Sequence, residues 1–239
     1  DALDHETLCG IGRSKKCTLY SATNRGLLAT GTGPRFPENA TCPSADDYWA
    51  MDYSSKRDHA ALHGGIDLPV PWGTPMIAAA AGSVVAIYEG QQSKRGIEIV
   101  LRHSPEQTGL PLWTYTAYGH LDAVPDFKIG QRVKMGEILG PTGNSGVSAM
   151  GKEQSTTRRP AIHFLVFYAP TPAYSEAVNT IIPVDGRWMD PMAFYRQQEP
   201  FDSLAVKALP EDEKNVLVPI LYKDRSTQPR ATKLVWPYA

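Results

Sequence analysis

Three stretches of this 239-residue chain carry side chains suited to holding a metal ion and using it. The first is His63-Gly64-Gly65-Ile66-Asp67, an imidazole and a carboxylate four positions apart. The two glycines between them let the backbone turn sharply, so both groups can converge on one point. The second is Tyr118-Gly119-His120-Leu121, at the end of an aromatic and β-branched run. The third is Ala161-Ile162-His163-Phe164, inside a strongly apolar run. On a strand, residues two apart share a face, so positions 161 and 163 look the same way, together with Leu165 and Phe167. A histidine among apolar neighbours needs a partner, and a metal ion is one such partner. Zinc that hydrolyses needs three protein ligands of histidine or carboxylate type and an open position for water. The His-x-x-x-Asp spacing alone has little specificity; the chemistry rests on the three pieces together.

The segments that must position these groups read as short strands broken by turns. Twenty glycines and twenty prolines point to many turns rather than long helices. Residues 75–81 and 83–88 read as two strands either side of Gly82, and Leu112 to His120 as another. Residues 97–102 alternate, with Ile97, Ile99 and Leu101 on one face and Glu98 and Arg102 on the other. Between Lys128 and Gly140 three glycines mark tight turns at sheet corners. Residues 161–168 form an apolar strand, and helical patterning is limited to a turn near Asp190 to Arg196. The fold class expected is all-β, a two-layer antiparallel β-sandwich with loop-rich N- and C-terminal extensions. Residues 1–48 form a cysteine-containing arm, 49–197 the body, and 198–239 a C-terminal extension with one strand, Asn215 to Leu221.

In this order and spacing, His63-xxx-Asp67, Tyr118-x-His120-Leu121 and His163-Phe164 resemble the lysostaphin-type, or LytM-like, zinc metallopeptidases. Gly73-Thr74-Pro75, the glycines from 130 to 140 and Gly143-Asn144-Ser145-Gly146 add to the likeness, which covers residues 60 to 168. The resemblance implies that His63, Asp67 and His163 bind Zn2+. It makes His120 a second-sphere histidine that bonds the metal's water or the developing oxyanion. It further implies hydrolysis of peptide stems or cross-bridges of peptidoglycan by a zinc-activated water.

One position departs from the family. Its last motif is written His-x-His, and here the first of the pair is Ala161, which offers no proton acceptor. Loss of a general base costs typically 10²- to 10⁴-fold, so the chain is expected to be an inactivated or weakened enzyme, whether the alanine is native or introduced. Glu153, the one carboxylate between Asn144 and Pro160, is a candidate substitute base, with a solvated loop glutamate as the plainer reading. The competing function is a non-catalytic, zinc-containing scaffold or regulator that binds a cell-wall component or a protein partner. A phosphocarrier of similar sheet architecture is a third reading, which gives Asp67 no work. His5, His59 and His103 read as exposed or loop residues, and Trp72, Trp113 and Tyr115 as core rather than groove.

Apolar residues at 42% and charged residues at 21% are ordinary for a folded soluble domain. A net charge of −1 supplies no electrostatic reason to expect nucleic acid as a partner. No apolar run is long enough to span a bilayer. The chain opens on Asp1 without an initiator methionine, as a processed mature protein does. Cys9, Cys17 and Cys42 lie close together in sequence, which suggests a local staple, Cys9 to Cys17 or one of them to Cys42, and hence an oxidising compartment. The expected location is the bacterial periplasm, the cell envelope or the medium. The two extensions are expected to cover the cleft and regulate access, with a regulatory protein partner as a further expectation.

Overall fold

The computed structural model describes residues 3–13, 17–38, 40, 56–57, 61–90, 93, 95–146, 159–177 and 179–238. Its elements in chain order begin with helices α1 (His5–Gly12) and α2 (Leu19–Asn24), then strands β1 (Gly33–Arg35), β2 (Lys56–Arg57), β3 (Ala61–Leu62) and β4 (Ile66–Pro69). There follow β5 (Pro75–Ile77), β6 (Gly82–Tyr88), β7 (Ile97–His103), β8 (Trp113–Leu121), β9 (Arg132–Val133), β10 (Ile138–Pro141) and β11 (Ala161–Ala169). The chain closes with β12 (Tyr174–Ala177), β13 (Thr180–Pro183), β14 (Arg187–Met189), a helix at Pro191–Arg196, another at Ser203–Lys207, and β15 (Asn215–Leu217), β16 (Ile220–Leu221) and β17 (Thr227–Gln228).

A seven-stranded antiparallel sheet dominates, in the order β14-β11-β8-β7-β6-β9, with β4 pairing beside β14 on the same edge of β11. The all-β expectation holds. Strands β8 and β11 do not show the half-buried alternation of a surface sheet. Every residue from Thr114 to Leu121 and from Ala161 to Phe167 is buried. Successive strand residues point to opposite faces, so both faces at the sheet centre are covered.

What covers them differs from the sequence reading. On one face Tyr118 and Phe164 meet the helix Pro191–Arg196 through Phe194 and Tyr195, and Tyr195 stacks on Trp236 from the C-terminal extension. On the other face Phe167 packs on Trp188 with ring centroids 4.5 Å apart, and the Trp188 indole N–H donates to the Gly10 carbonyl at 2.9 Å. The extensions are therefore covering layers of the core rather than loops laid upon it. The N-terminal arm also folds into two helices that the sequence pattern did not suggest. Asp4 caps the first by accepting from Thr7 N–H at 2.8 Å, a start signal too short to stand out among polar residues. Cys9 and Cys17 are joined across the end of α1, with Cα atoms 5.2 Å apart; Cys42 lies outside the described residues.

Two strand expectations need correction. The segment expected to run from Pro75 to Ala81 leaves the strand after Ile77. Beyond it the Ala79 N–H donates to the Tyr118 hydroxyl at 2.7 Å instead of to a neighbouring strand. The single C-terminal strand expected from Asn215 to Leu221 is two, because Pro219 has no N–H to continue a ladder. Its first half, β15, pairs in parallel with β1, so the two extensions join each other. Glu98, on the face opposite Ile99, is buried against Arg95, with Arg95 Nε 2.5 Å from Glu98 Oε2.

Candidate metal centre

Strand β11 lies between two suppliers of the site. On one side β4 places Asp67 directly opposite His163, and on the other β8 places Gly119 opposite it, with His120 next along. His63 reaches the same point because Gly64 and Gly65 adopt φ values of 73° and 155°. Space matters as much as turning. A Cβ at Gly65 would stand 2.6 Å from the His163 ring, and one at Gly64 would stand 2.7 Å from Trp188 and 2.8 Å from Arg13. Any side chain at either position displaces a wall of the site.

One ligand atom from each of His63, Asp67 and His163 lies within 4.8 Å of the others. Asp67 Oδ1 is 2.8 Å from His163 Nδ1 and 3.2 Å from His63 Nε2. His120 Nε2 is 4.0 Å from the same oxygen. Asp67, His120 and His163 are all buried, and His63 nearly so. Burial alone would raise the Asp67 carboxyl; the charge on His63 and hydrogen bonds from His163 and His63 outweigh it and hold the group well below the usual carboxylate range. Burial pushes the His163 imidazole down to about 4, although Asp67 pulls it upward. At neutral pH the pair is thus a carboxylate and a neutral imidazole, the protonation states a metal ion requires.

The donor set fits a divalent cation. Three lone-pair donors this close repel one another unless a positive charge, proton or metal, stands among them. Tetrahedral zinc with bonds of about 2.0–2.1 Å separates its ligand atoms by about 3.3 Å, close to the spacings seen here. His163 also keeps a buried Nε2 with no hydrogen-bond partner, so its ring is not explained by ordinary core bonding.

His120 is held more tightly than its neighbours. Its backbone is left-handed, with φ 65°, fixed by its N–H donating to the Arg95 carbonyl at 2.7 Å and its carbonyl accepting from Gly143 N–H at 2.9 Å. Its Nδ1 lies 2.7 Å from the Ser145 carbonyl, which only accepts, so Nδ1 carries the proton and Nε2 presents a lone pair toward Asp67 when the ring is neutral. Ser145 is itself pinned: its hydroxyl donates to the Leu121 carbonyl at 2.6 Å and accepts from Ile97 N–H at 3.0 Å. The Gly143-Asn144-Ser145-Gly146 motif is therefore the cradle of His120. Arg95 and Arg13 had no sequence signal at all.

Ala161 is buried two residues before His163 on the same face of β11, with its N–H donating to the Gly143 carbonyl at 3.3 Å. Glu153 and His59 lie outside the described residues. His103 is not a loop residue but a fully buried one, bonded through Nδ1 to the Ala81 carbonyl at 2.7 Å and through Nε2 to Thr116 Oγ1 at 2.8 Å. Tyr115 is core, Trp113 is half-buried at the far end of β8, and Trp72 is exposed.

An antiparallel sheet that gathers two histidines, one aspartate and an adjoining histidine defines a candidate metallohydrolase site. The model of Peptidase family M23 matches residues 61–178, the span that contains all four side chains. Over those residues the chain carries a domain of that family. Cell division protein DipM of Caulobacter vibrioides is 32% identical over 108 residues, 45% of this chain and 15% of DipM. The uncharacterized lipoprotein YgeR of Escherichia coli is 32% identical over 164 residues, 66% of this chain and 57% of YgeR. Among solved structures, a catalytic domain of the prophage-encoded M23 protein EnpA from Enterococcus faecalis is 24% identical with a TM-score of 0.39, covering 64% of this chain and 95% of that one. The chain thus spans well under two thirds of the curated relatives it matches. Among the described residues, no helix is long and apolar enough to cross a membrane.

Proposed function

We propose that the chain is a zinc-dependent peptidoglycan endopeptidase domain whose own activity is weakened or abolished by alanine at position 161. The observation that carries the reading is the convergence of His63, Asp67 and His163 on one point within the family's matched span. These three residues would hold the zinc. When bound, the ion supplies a Lewis acid and a water of lowered pKa. His120 stands beside them with a lone pair at Nε2, fixed by Ser145, and is suited to accept a hydrogen bond from the attacking water and, once it has taken a proton at Nε2, to donate one to the oxyanion of a peptide carbonyl. At position 161 a methyl group stands where the resemblance puts a proton acceptor, so no group there takes the water's proton. The peptide stems or cross-bridges of peptidoglycan are the proposed substrate, and an extracytoplasmic location is supported by the Cys9–Cys17 link and by the envelope-related names of the relatives.

Ala161 also favours a second reading, a zinc-containing scaffold that binds cell-wall peptide or a protein partner without cutting. One experiment separates the two. The wild-type chain and Ala161→His are compared for zinc content by atomic spectroscopy and for release of muropeptides from purified sacculi. The enzyme reading expects about one zinc per chain in both and a gain of at least about 10²-fold in cleavage with the histidine. A zinc-loaded Ala161→His protein that leaves every muropeptide intact overturns it in favour of the scaffold.

A further inference from the structure

His63 lies outside both neighbouring strands, after β3 ends at Leu62 and before two glycines lead into β4. The N-terminal extension gives this stretch between strands a fixing point. Arg13 closes α1 in a left-handed conformation, φ 50° and ψ 44°, and sends its guanidinium inward. Its Nη1 donates to the Leu62 carbonyl at 2.7 Å and to the His63 carbonyl at 3.3 Å. The same guanidinium lies 5.1 Å over the Trp188 ring, which is anchored to α1 through its bond to Gly10. Gly64 has no side chain because Arg13 and Trp188 fill that space.

The contact extends to the other side of the site. Burial pushes the Arg13 guanidinium down to about 10, with Arg95 lowering it further and Glu98 holding it up, so it is charged at neutral pH. Glu98 also feels both Arg95 and Arg13, and the Arg95 carbonyl accepts the His120 N–H. Arg13 thus meets the backbone at His63, and the backbone of Arg95, whose side chain pairs with Glu98, meets it at His120. A guanidinium suits this place because Nη1 meets both carbonyls while the delocalised cation stays within cation–π range of the indole.

We propose that Arg13 is a positioning residue for the metal centre, so that the N-terminal extension sets where His63 stands and how tightly zinc is held. The inference rests on the zinc reading above. It is tested in the full chain with Arg13→Met, Arg13→Lys and the paired Cys9→Ser, Cys17→Ser variant. Zinc affinity is measured by competition with a chromophoric chelator, ligand geometry by the visible spectrum of bound cobalt(II), and stability by melting in the presence of chelator.

Partners of metal ligands typically change affinity 10- to 100-fold when removed. Arg13→Met is expected to weaken zinc by about that range and to alter the cobalt spectrum, with Arg13→Lys recovering part of the loss. The paired serine variant is expected to melt lower and keep wild-type zinc affinity. Arg13→Met holding zinc as tightly as the wild type overturns the proposal, as do affinities that simply follow the melting temperature across all three. If Arg13→Met does not fold, Trp188→Phe takes its place, since it removes the bond to Gly10 while keeping a ring beneath the guanidinium; unchanged zinc affinity there counts against the proposal equally. A wild-type chain that binds no zinc overturns the site reading and this inference together.

Discussion

Asp67 faces His163 directly across the β4–β11 ladder, and that register alone brings Oδ1 to 2.8 Å from Nδ1. A one-residue slip would turn one of the two to the opposite face. The pairing of strands, not a loop, sets the closest contact in the site. Asp67→Asn keeps the shape and removes the charge. It is expected to reduce zinc affinity by more than the 10- to 100-fold of an outer-shell change, measured by chelator competition, with the circular dichroism spectrum unchanged.

Gly65→Ala tests the space the sequence reserves for His163. The new methyl would stand 2.6 Å from the ring at a backbone φ of 155°. The variant is expected to lose about 1–3 kcal/mol of stability through overpacking and to bind zinc more weakly, read by chemical denaturation and by metal titration. A fully zinc-loaded, equally stable Gly65→Ala protein would show that the ring moves aside freely.

His120 is predicted to act beside the metal rather than on it. In an Ala161→His background, His120→Ala should retain its zinc while kcat falls by about 10²- to 10⁴-fold, the usual effect of removing a positioned proton acceptor. The measurement is turnover on a defined cross-linked muropeptide together with zinc content. Loss of zinc in parallel with activity would make it a ligand instead.

His103 should govern part of the acid limb of stability. Burial pushes its imidazole down to about 4, against the partial pull of the Ala81 carbonyl, whereas the unfolded chain takes up the proton near 6.5. Above that value the neutral ring binds no proton in either state, and stability is complete. As the pH falls from about 6.5 toward 4 the unfolded state gains the proton first, and stability declines by on the order of 3 kcal/mol. Urea melts of wild type and His103→Gln at several pH values check this; the variant should show a shallower decline across that window.

The four chemistry-bearing positions were legible because each sits in a short local pattern, His-x-x-x-Asp, Gly-His or a histidine in an apolar run, whose spacing survives folding. The strands were legible for the same reason, since β-branched and aromatic runs report burial locally. The burial of Glu98 was not legible because alternation sorts residues onto two faces without saying what covers either; its partner is Arg95. His103 was misread similarly, since its partners, the Ala81 carbonyl and Thr116, come from other elements. The helices of the N-terminal arm were missed because they are six and eight residues long and draw their stability from packing rather than propensity.

The parallel pairing of β1 with β15 joins the beginning of the described chain to its far end. Such a closure is entropically demanding, since most of the sequence lies between its partners. It also ties the layer that carries Arg13 to the layer that carries Trp236, with the sheet of the candidate metal centre between them. The protein is in this sense belted: trimming either extension exposes an unpaired strand edge on the other. A cut far from the histidines would thus be felt as a loosening of the whole wrapping around them.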